Sequence, residues 1–161
     1  MKKFTADFET ATWNPKETWV WAWAVSEISD KENVKIGNDI ESFFELLFEE
    51  KNPIVYFHNL KFDGEFLIYY LLKNGYSVVE NKKEIRNKTF TCLISDLGQF
   101  YSIVVYKTVG NKSSKKITFY DSLKIIPFSV DQVSKAFGLE ESKLSIDYNE
   151  PREKRSCFDR R

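Results

Sequence analysis

Residues 3 to 10, KFTADFET, alternate strictly: Phe4, Ala6 and Phe8 point one way and Thr5, Asp7 and Glu9 the other, the period of two that a half-buried β-strand requires. The two carboxylates therefore share a face. NPK at 14–16 reads as a turn, and TWVWAWAVSE predicts a strong second strand. In it Trp19, Trp21, Trp23 and Val25 face one side and Val20, Ala22 and Ala24 the other. Around SDKEN the chain turns back into a short strand near Val34 and Ile36, closing a three-stranded antiparallel meander with the strand at 4–9 placed centrally in the sheet.

The period then changes. Ile40, Phe43, Phe44 and Leu47 recur at helical spacing behind Asn38 and Glu41, which stand three apart as in a capping box, so a helix is predicted over 39–50. Pro53 precedes an apolar strand, IVYF. After Asn59 a second helix carries Phe66, Leu67, Tyr70 and Leu71 toward the core and stops at Gly75. From 89 to 121 strands return as TFTCLI, FYSIVVYK and KKITFYD, the last two joined around Gly110 and Asn111 by the exposed loop VGNKSSKK. Ser129 and Gln132 form another capping box, opening a helix that uses Val130, Val133 and Phe137 and ends near Gly138. These elements predict an α/β domain over 1–148. The segment NEPREKRSCFDRR, 149–161, is expected to be a poorly ordered basic tail.

At 161 residues the chain suits one domain, able to bury about 70% of its extended surface. Aromatic residues make up 16% of it, enough for a packed core, a base-stacking surface or both, and composition does not separate these. The net charge is zero but unevenly placed: residues 1–50 hold five basic and eleven acidic side chains, the remainder nineteen and thirteen. An anionic polymer lying over the basic part beside an acidic pocket is one reading, an ordinary charged surface the other. Cys92 and Cys157 match no metal-ligand spacing and suit a reducing compartment. No apolar run approaches the roughly 18 residues of a membrane span, so no membrane partner and a cytoplasmic location are expected.

Asp7 and Glu9, two apart near the end of a strand, can offer oxygen ligands to a hard divalent cation, and Asp63 near a helix start can add a third. Taken alone, DFE reads first as the solvated face of a half-exposed strand. His58 alone reads as a structural histidine, Ser122 and Leu123 as a strand-to-turn junction, and Lys143 as a surface lysine. Phe62 and Phe66 are four apart on one helical face, which suits base stacking or core packing, with core packing ahead for Phe66.

DFET at 7–10 followed by YFHNLKFDGEF at 56–66, YDSLKIIPF at 120–128 and KLSIDY at 143–148 resembles the 3'-5' exonuclease domain of protein-primed family B DNA polymerases of phages and linear plasmids. The resemblance covers nearly the whole chain up to Tyr148. It implies a ribonuclease H-like fold of the DEDD exonuclease type, a mixed sheet flanked by helices. By position it makes Asp7, Glu9 and Asp63 metal-binding catalytic carboxylates for weakly held Mg²⁺ or Mn²⁺. It implies that Thr10, His58, Asn59, Phe62, Phe66, Ser122, Leu123 and Tyr148 hold a single-stranded DNA 3' end, and that Lys143 offsets charge at the scissile phosphate. The family's third motif, Tyr-x-x-x-Asp downstream of the IDY segment, is not found; Asp159 has no tyrosine four positions before it. The expectation is a domain truncated before that motif, engaging DNA ends and slow or inactive alone, with a polymerase domain or another protein completing the site. The alternative is a non-catalytic nucleic-acid-binding or regulatory phage protein built on the same fold.

Overall fold

The computed structural model describes residues 1–11, 16–110 and 114–138. The turn expected at 14–16, the loop centre around Asn111, Lys143, Tyr148 and the tail at 149–161 fall wholly or partly outside them. Eight strands form one mixed sheet: β1 (Lys3–Thr10), β2 (Val20–Glu27), β3 (Asp30–Gly37), β4 (Ile54–Phe57), β5 (Ser77–Val78), β6 (Thr89–Ile94), β7 (Phe100–Thr108) and β8 (Lys115–Asp121). Their order across the sheet is β3-β2-β1-β4-β8-β7-β6-β5. The meander β1-β2-β3 is antiparallel, as its alternation predicts, while β1, β4 and β8 run parallel at the centre. Among the described residues three α-helices accompany the sheet: α1 (Ile40–Glu49), α2 (Leu60–Lys73) and α3 (Val130–Ala136).

Phe4, Ala6 and Phe8 of β1 are buried on the same face as Val55 and Phe57 of β4 and Phe119 of β8. Both long helices cover that face: Phe43, Phe44 and Leu47 of α1 and Leu60, Leu67 and Leu71 of α2 join one core with the strand residues. Phe43 lies edge-on to Phe8 at 4.8 Å, and Phe44 stacks on Tyr70 at 4.2 Å, so aromatic contacts bind helix to sheet and helix to helix. Asp7 and Glu9 leave β1 on the opposite, less covered face.

Three sequence expectations need correcting. Along β2, Trp23 and Val25 are buried as expected, but Val20 joins them, because the pairing shifts from Glu9↔Ala22 to Thr10↔Val20 and leaves Trp21 as an extra residue. A bulge of one residue reverses the alternation. The N-cap of α1 is Asp39, not Asn38: its side chain accepts the Ser42 N–H at 2.6 Å, and its carbonyl accepts Trp23 Nε1 at 2.8 Å. The indole fixes which residue starts the helix. It also crosses Gly37, where a Cβ would stand 2.3 Å from Trp23 Cζ2, so β3 must end in glycine. Finally, the capping box of Ser129 and Gln132 is present, yet of the three apolar positions in that helix Val130 and Phe137 are exposed; Ser134 is the buried residue. A capping box fixes where a helix starts, not which of its faces packs against the core.

Candidate active site

Three parallel strands place their carboxyl ends along one edge of the sheet, the position where open α/β sheets leave a crevice for ligands. β1 brings Asp7 and Glu9 there. β4 ends at Phe57 and leads through His58 and Asn59 into α2, which carries Asp63 in its first turn. β8 ends at Asp121 and continues into a short 3-10 helix, Ser122–Lys124.

Asp63 is held in a gap between strands. Ile28 N–H bonds to Lys3 O, so the odd-numbered residues of β1 exchange hydrogen bonds with β2 and the even-numbered ones turn theirs toward β4. Pairing with β4 stops at Thr5↔Tyr56, which leaves the Phe8 N–H beyond the partner strand. The Asp63 carboxylate lies near enough to that N–H, and to its own, for both to favour its charged form. Gly64 lets α2 sit low over β7: a Cβ there would meet Phe100 Cδ1 at 3.2 Å.

Asp63 is only 4% exposed, and its Oδ1 is buried with no hydrogen-bond partner. Burial raises its pKa from 3.8 to about 7; the Asp7 charge adds to this, and the Glu9 charge acts in the same sense, against the two N–H groups. Asp7, Glu9 and Asp63 thus share one electrostatic neighbourhood, Asp63 reaching it through the gap from the helix-covered side. Among the described residues no three His, Cys, Asp or Glu side chains stand close enough to enclose an ion. In chemistry, three carboxylates are the oxygen donors a hard divalent cation takes, and one of them has a buried, unused oxygen and a pKa raised by burial and then by its neighbours' negative charge.

The other residues named from the sequence divide. Ser122 Oγ donates its one proton to Phe57 O at 3.1 Å, so at its 3.1 Å contact with His58 Nδ1 the ring must be the donor. In the neutral ring Nε2 is then an acceptor, and it is buried without a partner. Asn59 is exposed, with φ 73° and no side-chain capping bond, which leaves its amide open to a ligand. Phe62 is 48% exposed, whereas Phe66, 5.7 Å from it, packs partly against the core. Leu123 is half-buried and Thr10 buried, turned with Phe8 toward the helix-covered face. Cys92 is a half-buried thiol whose pKa burial lifts to about 11, a poor nucleophile and metal ligand. Sequence reading passed over Asp121, a buried carboxylate whose Oδ1 accepts both Asn59 N–H and Leu123 N–H at 3.0 Å. Its signal was its place as the last residue of an apolar strand.

The family described as DNA polymerase type B, organellar and viral, matches residues 45–160 of this chain. The DNA polymerase of Bacillus phage Nf is 37% identical over 151 residues, covering 94% of this chain and 26% of its own. Two solved structures of phi29 DNA polymerase, one complexed with single-stranded DNA and one with primer-template DNA, superpose with TM-scores of 0.85 and 0.86. Both are 34% identical and cover 94% of this chain. This chain spans about a quarter of the length of these relatives, 26% in each case.

Proposed function

Because this chain belongs to the type B DNA polymerases of organelles and viruses, and has the α/β, ribonuclease H-like exonuclease fold, we propose that it is an exonuclease-like module that takes a single-stranded DNA 3' end at the carboxyl edge of β1, β4 and β8. The observation that carries this reading is Asp63: a buried carboxylate with an unused oxygen, its pKa raised by burial and by Asp7 and Glu9.

Asp7, Glu9 and Asp63 would hold Mg²⁺ or Mn²⁺. When bound, such an ion offsets charge on the phosphoryl oxygens and lowers the pKa of an attacking water. The chain's own residues do the rest. Asn59 offers amide donors to backbone oxygens at the start of α2, where the helix dipole also favours a phosphate. Phe62 offers an exposed ring to a terminal base, a contact indifferent to sequence. His58 Nε2 offers a buried acceptor, and Ser122 fixes its ring. Lys143 is proposed to act near the scissile phosphate and Tyr148 at the DNA end. With three carboxylates and no Tyr-x-x-x-Asp in the sequence, ion placement is loose, and hydrolysis by this chain alone is slow.

The test compares end-labelled linear and circular single strands for binding, then follows Mn²⁺-supported loss of 3' nucleotides by this chain and by Asp7→Ala. Tighter binding of the linear strand, with cleavage that is slow and abolished in the variant, is expected. Equal affinity for both strands together with no Mn²⁺-dependent cleavage would sink the reading. Linear-strand preference with no cleavage at all would favour the non-catalytic alternative.

A further inference from the structure

Resting on that reading, we infer that Asp121 is the positioning residue of the site: one buried carboxylate oxygen ties the start of α2, and with it Asp63, to the Ser122–Leu123 turn, so that the metal side and the DNA-end side are set by a single group. The junction it closes is a weak place in the backbone. β4 and β8 pair in parallel as far as Phe57↔Asp121 and then separate, one chain entering α2 and the other the 3-10 helix. No further strand bonds can join them. Asp121 lies on the same face as Phe119 and Phe57, beneath the start of α2, and is only 3% exposed.

Both N–H groups that its Oδ1 accepts belong to the residues leaving the junction, Asn59 on one side and Leu123 on the other, at 3.0 Å each. A hold there matters because Asn59, at φ 73°, takes a left-handed conformation that asparagine tolerates better than other non-glycine residues but still at a cost, and it leads directly into α2. Its own side chain makes no capping bond, so among the described contacts the carboxylate from β8 is what anchors the turn. A negative group at that place also suits the helix N-terminus. Ser122 adds a second tie across the same seam, through Phe57 O and the His58 ring. Displacing Asp121 would therefore move Asp63 relative to Asp7 and Glu9, and at the same time Ser122, Leu123 and His58 relative to the DNA end.

The full chain with Asp121→Ala, Asp121→Ser and Asp121→Asn tests this by amide hydrogen exchange, Mn²⁺ titration and binding of a linear single strand. In Asp121→Ala the Asn59 and Leu123 amides should exchange about tenfold faster or more, while those of Val105 and Phe119 hold their rates. The half-saturating Mn²⁺ concentration and the DNA dissociation constant should both rise about tenfold. Asparagine keeps an acceptor oxygen at the same reach, so Asp121→Asn should restore most of all three. If the alanine variant fails to fold, the serine variant, whose shorter hydroxyl can still cap Leu123 N–H but does not reach Asn59 N–H across the seam, carries the comparison at Asn59. Unchanged exchange at Asn59 and Leu123 would overturn the inference. So would a change in one ligand without the other, an asparagine variant no better than alanine, or a lower melting temperature with both affinities intact. If the unaltered chain binds neither Mn²⁺ nor DNA ends, the functional reading fails separately, and the exchange rates alone decide whether Asp121 holds the junction.

Discussion

Asp63 makes the site a pH-dependent cost to the fold. Its folded-state pKa of about 7 lies above the ordinary 3.8, so between those values the folded protein keeps a proton that the unfolded chain has released. The stability this residue contributes is fully present below about pH 4 and is lost as pH rises through 7. In urea unfolding with EDTA, the stability difference between this chain and Asp63→Asn should therefore move by about 2 to 3 kcal/mol in favour of the variant from pH 5 to pH 8. Subtracting the variant's profile removes the contributions of other titrating groups. A divalent ion competes with that proton, so at pH 8 Mn²⁺ should raise the melting temperature of the unaltered chain and leave Asp63→Asn nearly unmoved. A flat difference profile would mean that Asp63 is solvated or otherwise paired. His58 and Asn59 were visible in the sequence only as residue types beside an apolar strand. What makes them usable, a buried acceptor nitrogen and a left-handed backbone, comes from contacts with a turn more than sixty positions away.

At the scale of elements, periodicity identified β1, β2 and both long helices, because each is partly buried and repeats its apolar residues at its own period, whereas β3, expected as a short strand near Val34 and Ile36, runs eight residues with Val34 and Ile36 both exposed. Failures came where a contact from elsewhere overrode the local pattern. Asn38 and Glu41 have capping-box spacing, but Trp23 seizes the Asp39 carbonyl and moves the cap by one residue. Asp39→Ala should accordingly cost about 1 kcal/mol in urea unfolding, and Asn38→Ala less than about 0.3 kcal/mol. Equal costs would return the cap to Asn38. The bulge at Trp21 was invisible for the same reason, since it exists only in the pairing of β2 with β1. The third helix was found by its cap and misread in its packing. Asp7, Glu9 and Asp63 were legible as candidates, whereas the gap between β1 and β4 that admits Asp63 depends on where two strands stop pairing. A sequence does not print that length.

For the whole molecule, the chain's charges balance in number and separate in place, so attraction to DNA has to come from local clusters and should respond strongly to salt. Lys61 is exposed in the first turn of α2 beside Asn59, and on the proposed reading it would meet a backbone phosphate. Lys61→Ala should weaken single-strand binding evenly across sequences and reduce the slope of log K against log salt by about 0.7, the share of one phosphate contact. An unchanged slope would leave Lys61 outside the path of the strand. The parallel trio β1, β4 and β8 has a further consequence, in time. β4 is central, yet its two neighbours are made at opposite ends of the described chain, at 3–10 and 115–121. At about 5 to 20 residues per second, roughly 3 to 13 seconds separate the synthesis of Phe57 from that of Asp121. During that interval one edge of IVYF has no neighbouring strand, and Asn59 has no carboxylate to hold its turn. A nascent chain should thus bury its meander and α1 early, and shape its crevice only after β8 has left the ribosome.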